Sequence, residues 1–162
     1  MANASPAGAL SHVSLGTNDF PRARAFYEAV LGTLKIRCVM EFEEGAGYGR
    51  EFPEFWIQLP HDGQAANPGN GTHVCFNAGS PDEVKAFHKK ALELGAEDDG
   101  KPGIRKEYSD NYYAAFVRDP DGLTIELNFN GLKEMPDYGE DYSKMPALAD
   151  AKDKAGTVRK PT

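Results

Sequence analysis

The stretch that decides the fold is FVRDPDGLTIELNF, residues 116–129. Pro120 and Gly122 predict a tight turn, because proline is preset for the second position of such a turn and glycine is favoured at the fourth. After the turn, apolar and polar side chains alternate strictly, which is typical of a strand with one dry face and one polar face. Glu126 lies in the middle of the polar face, so its carboxylate is either solvated or has a partner.

Composition narrows the class of protein. The chain has 162 residues, which is enough for one domain with a core and too short for two ordinary domains. A formal net charge of -7 without a basic cluster argues against binding to nucleic acid or to an anionic membrane. Cys38 and Cys75 are the only cysteines, which excludes a disulfide framework. We expect a soluble cytoplasmic protein, since no apolar run or secretory signal is present.

The chain repeats its own pattern once. His12 and His73 each begin a predicted strand, and Phe26 and Phe87 follow them by 14 residues on a predicted amphipathic helix. Each half is predicted to fold as strand, helix and three further strands. Two copies in register indicate one unit built twice around an approximate two-fold axis.

The boundaries of the predicted domain follow from this repeat. We expect a flexible arm over residues 1–8, one domain over 9–130 and a tail over 131–162. The domain divides into modules at about 9–60 and 71–130, joined by a linker rich in Gly, Pro and Asn. Within the modules we expect a turn at Gly45 and Gly47, a loop that runs to Gly103, and a surface position for His88.

Alternation along the first and last strands of each half separates two faces. The apolar residues of these strands are predicted to pack beneath the two helices: Val13, Leu15, Ile57, Leu59, Val74, Phe76, Ile125, Leu127 and Phe129. The polar residues then point to the opposite face. If the halves pair about a two-fold axis, the side chains that converge at its centre are His12, Gln58, His73 and Glu126. Two imidazoles, a carboxylate and an amide oxygen form a plausible site for one divalent transition metal.

Taken together, these motifs resemble those of the vicinal oxygen chelate superfamily, which includes glyoxalase I, bleomycin-resistance proteins, fosfomycin-modifying enzymes and extradiol dioxygenases. The matching segments are HVSL at 12–15 with RAFY at 24–27, HVCF at 73–76, and the stretch from 116 to 126. The resemblance covers about residues 9–130. It implies an α+β fold in which two βαβββ modules form a mixed, incomplete eight-stranded barrel around a metal. Positions matching His12, His73 and Glu126 are ligands in the metal-using members.

The resemblance also implies a function, with one departure. The position of Gln58 is often a glutamate in glyoxalase I-like enzymes, so this site carries one carboxylate rather than two. We expect a metal-dependent lyase or isomerase of the glyoxalase type acting on a small oxygen-rich substrate, with Glu126 as base and zinc, nickel, cobalt, manganese or iron as the metal. Two histidines and one carboxylate also suit Fe(II) oxygen chemistry, as in extradiol dioxygenases. A third alternative is a non-catalytic binding protein like the bleomycin-resistance members.

Other residues are predicted to contact the substrate. Tyr48, Trp56, Arg105 and Tyr112 lie on strands or loops that rim the predicted cavity. Aromatic side chains with one arginine suit a planar or anionic small molecule. We expect a small-molecule substrate and a homodimer, with no nucleic acid and no membrane as partner. Whether the barrel closes within one chain or between two is open at this point.

Overall fold

A computed structural model describes residues 10–129 of the chain as two modules of the same design. The first contains β1 (Val13–Gly16), α1 (Phe20–Gly32), β2 (Arg37–Phe42), β3 (Gly45–Gly49) and β4 (Phe55–Gln58). The second contains β5 (His73–Asn77), α2 (Pro81–Glu93), β6 (Glu97–Ile104), β7 (Tyr113–Arg118) and β8 (Thr124–Phe129). The predicted arm and tail lie outside the described residues. Neither of the two helices is long and apolar enough to cross a membrane.

Each module forms one four-stranded mixed sheet. The strand orders are β1-β4-β3-β2 and β5-β8-β7-β6, so the two sheets have the same topology. The first and last strands of each module run parallel to one another, and the other neighbours are antiparallel. The two sheets do not close on each other. These features confirm the predicted α+β fold of two βαβββ modules in an incomplete barrel.

The helices begin where the sequence predicts. Asp19 accepts a hydrogen bond of 3.0 Å from the backbone N–H of Arg22 at the start of α1. At the start of α2, Ser80 accepts one of 3.2 Å from the N–H of Glu83, and Glu83 accepts one of 2.7 Å from the N–H of Gly79. These bonds satisfy N–H groups that the first helical turn leaves without partners.

One hydrophobic core lies between the helices and the sheets. All nine apolar strand residues that were predicted to face the helices pack in this core or against it. The two modules share the core, because the rings of Phe55 and Phe76 meet across the junction with centroids 5.0 Å apart. Burial of the apolar faces leaves the polar faces of both sheets on the other side, where the predicted metal ligands lie.

Two glycine-rich segments are strands rather than the predicted turn and loop. Gly45 and Gly47 belong to β3, and Gly100 and Gly103 belong to β6. The physical reason is a close approach of side chains from neighbouring strands. A Cβ atom at Gly47 would lie 2.8 Å from the ring of Trp56, and one at Gly100 would lie 3.0 Å from the ring of Phe116. Glycine is needed there to leave room for an aromatic ring.

The prediction of a surface position for His88 is also wrong. His88 lies on α2 and is only 7% exposed. Its Nε2 lies 3.1 Å from Oδ1 of Asp98, at the beginning of β6. The partner lies on the next element of the chain, so the helical pattern alone did not indicate a reason to bury an imidazole.

Candidate functional site

Glu126 lies at the centre of the polar face of the second module. It is on β8 and only 5% exposed. One carboxylate oxygen, Oε2, is 3.3 Å from Nε2 of His73 on the neighbouring strand β5. The other, Oε1, accepts a hydrogen bond of 2.5 Å from the hydroxyl of Tyr112. The parallel register of β5 and β8 aligns Cys75 with Glu126, which brings His73 within reach of the same carboxylate.

The burial of Glu126 has an electrostatic consequence. A buried carboxylate is unfavourable unless hydrogen bonds or a positive charge compensate for the lost water. Among residues 10–129, Glu126 forms no ion pair with a lysine or an arginine, and its one potentially charged partner is the imidazole of His73. The carboxylate is therefore held by the hydrogen bond from Tyr112 and by its contact with His73, and a cation beside Oε2 would be stabilised there.

Two neighbouring groups remain protonated. The pKa of Tyr112 is raised above its ordinary value, first by burial and then by the hydrogen bond to Glu126, so the phenol stays a donor. The pKa of the Cys75 thiol is raised as well, first by burial and then by the charge of Glu126. Because the thiolate is the reactive form of cysteine, Cys75 is a poor nucleophile in this environment.

A cavity of about 760 Å³ opens beside His73 and Glu126. Tyr108, Phe116 and Arg118 also line it. The sequence places Tyr108 among the residues that could rim the cavity, but Phe116 and Arg118 were not predicted as pocket walls. Strand register is the signal that identifies both, because Phe116 pairs with Glu126 and Arg118 pairs with Thr124 across β7 and β8, on the same face of the sheet.

Arg105 reaches this face indirectly. Its guanidinium carbon lies 5.5 Å from the centroid of the Phe116 ring, in cation–π geometry. Its Nη2 donates a hydrogen bond of 2.8 Å to the backbone carbonyl of Lys101. Arg105 thus braces one wall of the cavity and carries a positive charge close to it.

The polar face of the first module carries an aromatic pair. Trp56 and Gln58 lie on the same face of β4. Phe42 stacks on Trp56, with ring centroids 5.8 Å apart and planes 8° from parallel. Phe42 is 61% exposed and was not singled out from the sequence. Gln58 and Phe42 line a cavity of about 820 Å³, to which neither His73 nor Glu126 contributes.

His12 lies just before β1, and its side chain is exposed. It lines a cleft of about 380 Å³ together with His73 and Cys75. The four predicted ligands are thus distributed over three cavities, with His73 shared by two of them. Within residues 10–129 there is no group of three or more His, Cys, Asp or Glu residues placed to hold a metal ion. The structure brings His73 and Glu126 together, places His12 in a cleft that it shares with His73 but not with Glu126, and places Gln58 in a cavity with neither.

Tyr48 differs from the other predicted substrate contacts. It pairs with Phe55 across β3 and β4, and both side chains face the helices. Tyr48 is 1% exposed, and its ring packs on Phe55 with centroids 6.3 Å apart. It contributes to the inner wall of the cleft beside His12, yet almost none of its surface is available to a ligand. The structure therefore places Tyr48 in the core.

Known proteins match most of the described part of the chain. A family model described as the Glyoxalase/Bleomycin resistance protein/Dioxygenase superfamily matches residues 9–127. No curated protein matches the chain.

Several solved structures share the fold. A glyoxalase/bleomycin resistance protein from Albidiferax ferrireducens T118 is 35% identical, with a TM-score of 0.69 over 75% of this chain and 99% of that chain. Lactoylglutathione lyase from Agrobacterium tumefaciens is 21% identical, with a TM-score of 0.57 over 80% of this chain and 99% of that one. The fosfomycin resistance protein FosX from Listeria monocytogenes is 19% identical, with a TM-score of 0.56 over 77% and 95%. At these identities, the last two indicate a common fold alone.

Proposed function

Because the chain belongs to the glyoxalase/bleomycin resistance protein/dioxygenase superfamily, we propose that it is a metal-dependent lyase or isomerase of the glyoxalase type. The substrate is a small molecule with two adjacent oxygen atoms. The observation that carries the proposal is the pair of His73 and Glu126, whose Nε2 and Oε2 atoms lie 3.3 Å apart beside a cavity.

His73 and Glu126 supply two of the ligands that a metal site needs. An imidazole nitrogen and a carboxylate oxygen are ligands that zinc, nickel, cobalt, manganese and iron all accept. The buried carboxylate of Glu126 lacks a lysine or arginine partner among the described residues, which favours a cation at Oε2. Two donors are too few, since catalytic metal sites of this kind use three or more protein ligands. His12 and Gln58 have the right chemistry for the missing donors.

A second copy of the chain can supply these donors. Within residues 10–129 the two sheets do not close on each other, and the predicted ligands divide into one pair on each module. A homodimer with two-fold symmetry would place His12 and Gln58 of one copy opposite His73 and Glu126 of the other, and so form two equal sites. This arrangement closes the barrel between chains rather than within one.

The proposed chemistry is a proton transfer. A metal held by these residues would act as a Lewis acid that polarises the two substrate oxygens. Oε2 of Glu126 would give up its place as a ligand when the two substrate oxygens bind. It would then take the proton from one substrate carbon and return it to the adjacent carbon, so no oxidant or reductant is consumed. Trp56 on one module, and Arg105 with Arg118 on the other, offer a flat surface and positive charge for a planar or anionic substrate.

Metal analysis tests this proposal directly. Protein purified without a metal-affinity tag is expected to hold one transition metal per chain, and Glu126→Gln is expected to lose it. Glu93→Gln, on the exposed surface of α2, makes the same change far from the site and is expected to keep the metal. Isomerase activity is then measured with the hemithioacetal of a 2-oxoaldehyde and a thiol. A metal-free wild type, or a Glu126→Gln variant with the full metal content, would contradict the proposal.

A non-catalytic binding protein is the second candidate. One observation favours it: the face of the stacked pair Phe42 and Trp56 is open to solvent and suits a flat ligand. In that case the native protein contains no metal, and Glu126→Gln binds a planar antibiotic as tightly as the wild type. Iron in the purified protein together with O₂ uptake on a catechol would instead indicate a dioxygenase.

A further inference from the structure

Tyr112 forms a hydrogen bond with one of the two carboxylate oxygens of Glu126. Its hydroxyl donates a hydrogen bond of 2.5 Å to Oε1, while Oε2 lies 3.3 Å from Nε2 of His73. Hydrogen bonds of O–H groups to an ionised carboxylate are short and roughly twice as strong as those between neutral groups. The two oxygens are therefore not equivalent. The phenol holds one of them, and the other faces the imidazole.

Asn128 fixes the direction of this phenol. Its Nδ2 donates hydrogen bonds of 3.0 Å to Oη of Tyr112 and 2.9 Å to Sγ of Cys75. A phenol has a single proton, and the carboxylate of Glu126 can only accept. The Tyr112 hydroxyl therefore donates its hydrogen bond to Glu126, and its oxygen accepts one from Asn128. The reverse orientation of the amide would set two acceptor oxygens against each other.

The hydrogen-bonded relay from Asn128 through Tyr112 to Glu126 lies away from solvent. Tyr112, Asn128 and Glu126 are 7%, 8% and 5% exposed, respectively. Water therefore competes little for their hydrogen bonds, and the geometry of each member depends on the others. Removal of one hydroxyl would leave Oε1 of Glu126 without its donor in a buried environment, and the side chain would be free to turn.

We infer that Tyr112 and Asn128 are positioning residues for Glu126 and hold its Oε2 towards His73. The inference rests on the proposed role of Glu126 as a metal ligand and base. Tyr112 then acts through the carboxylate and does not contact the substrate, which differs from the role that the sequence suggested for it. Asn128 acts through Tyr112.

Cobalt binding tests the role of Tyr112 without any turnover. Tyr112→Phe removes the hydroxyl and keeps the ring, and the affinity for Co²⁺ is expected to fall by about 10- to 100-fold, as for other residues that orient a metal ligand. Tyr113→Phe is the matched control, because the adjacent side chain packs against the core on the opposite face. Its Co²⁺ affinity is expected to stay within about twofold of the wild type. The visible absorption of bound Co²⁺ gives the affinities.

Asn128→Ala tests the relay and serves as the second variant if Tyr112→Phe does not fold. We expect a smaller loss of Co²⁺ affinity than for Tyr112→Phe. In the Tyr112→Phe background, Asn128→Ala is expected to cause no further loss, because the phenol through which it acts is gone. Equal losses in the two backgrounds would contradict the relay.

Glu126→Gln separates this inference from the proposed function. Suppose that the wild type binds Co²⁺ and Glu126→Gln does not. The positioning role is then supported if Tyr112→Phe binds Co²⁺ at least tenfold more weakly than Tyr113→Phe does. If the two variants bind Co²⁺ equally well, the positioning role is wrong, but the proposed metal site is not. If the wild type does not bind Co²⁺, or Glu126→Gln binds it equally well, the proposed function is wrong and the inference fails with it.

Discussion

The hydroxyl of Tyr27 donates a buried hydrogen bond of 2.6 Å to Oδ2 of Asp119, and this bond joins the two modules. Tyr27 lies on α1 of the first module, while Asp119 lies in the turn between β7 and β8 of the second. Asp119 also accepts hydrogen bonds from the backbone N–H groups of Asp121 and Leu123. The turn at residues 119–122, which the sequence predicts from Pro120 and Gly122, is thus hydrogen-bonded to the first module.

We predict that Tyr27→Phe lowers the free energy of unfolding by about 1–3 kcal/mol at pH 7, the usual effect of leaving a buried acceptor without its donor. Burial raises the pKa of Asp119 above its ordinary 3.8, and the hydrogen bond from Tyr27 opposes that rise. The bond therefore favours the ionised form. The effect of the substitution is expected to shrink as the pH falls through the pKa of Asp119. Urea unfolding of both proteins across pH measures this, and a pH-independent difference would contradict it.

The alternation of apolar and polar residues predicted more of the molecule than any other signal. It placed Ile57 and Ile125 in the core and Glu126 on the opposite face, because a strand has only two sides. Glycine was the source of the main errors. Gly47 and Gly100 favour turns by intrinsic propensity, but here a ring from the neighbouring strand needs their space.

The candidate site was predicted less completely than the fold. His73 and Glu126 lie on paired strands of one module, so local register brings them together. His12 and Gln58 belong to the other module, and their distance from that pair depends on how two sheets or two chains meet. Periodicity carries no information about that arrangement. The hydrogen bonds from Asn128 to Tyr112 and from Tyr112 to Glu126 were not predicted, because they run from side chain to side chain and leave no periodic signal in the sequence.

Gly47→Ala is predicted to displace the stacked aromatic pair of Phe42 and Trp56 in the first module. The new Cβ would lie 2.8 Å from the ring of Trp56 and 2.7 Å from Cβ of Pro53, so the indole must move. We expect a loss of about 1–3 kcal/mol in the free energy of unfolding. Trp56 is the only tryptophan of the chain, so its fluorescence emission reports the displacement without interference from another indole.

Gly32→Ala is the matched control for this change. Apart from the adjacent residues and the backbone of the helix itself, no atom of residues 10–129 lies within 4 Å of a Cβ built at Gly32, which is the last residue of α1. Alanine favours a helix over glycine, so we expect unchanged emission and unchanged or slightly higher stability. Equal emission spectra for Gly47→Ala and the wild type would show that the indole does not need the glycine.

Asp98→Asn is predicted to lower stability at neutral pH and to lose its effect in acid. The pKa of Asp98 is lowered from its ordinary 3.8, first because His88 hydrogen-bonds to the carboxylate. A carboxyl group with a lowered pKa stabilises the fold above its unfolded pKa and stops doing so as the pH falls through its folded pKa. The melting temperatures of wild type and variant are therefore expected to converge as the pH falls through the lowered pKa of Asp98. Asp110→Asn, an exposed change, is expected to show no such trend, and parallel curves for Asp98→Asn would contradict the prediction.

Hybrid dimers decide whether the proposed metal site lies between two chains. His12→Ala and His73→Ala are each expected to abolish metal binding. In a two-fold dimer that pairs one variant with the other, one site lacks both imidazoles while the second site has both. Random pairing of the co-expressed variants makes half of the dimers hybrid, so about a quarter of all sites are expected to bind metal. A site that closes within one chain would recover nothing on co-expression, because every chain then lacks one of its own ligands.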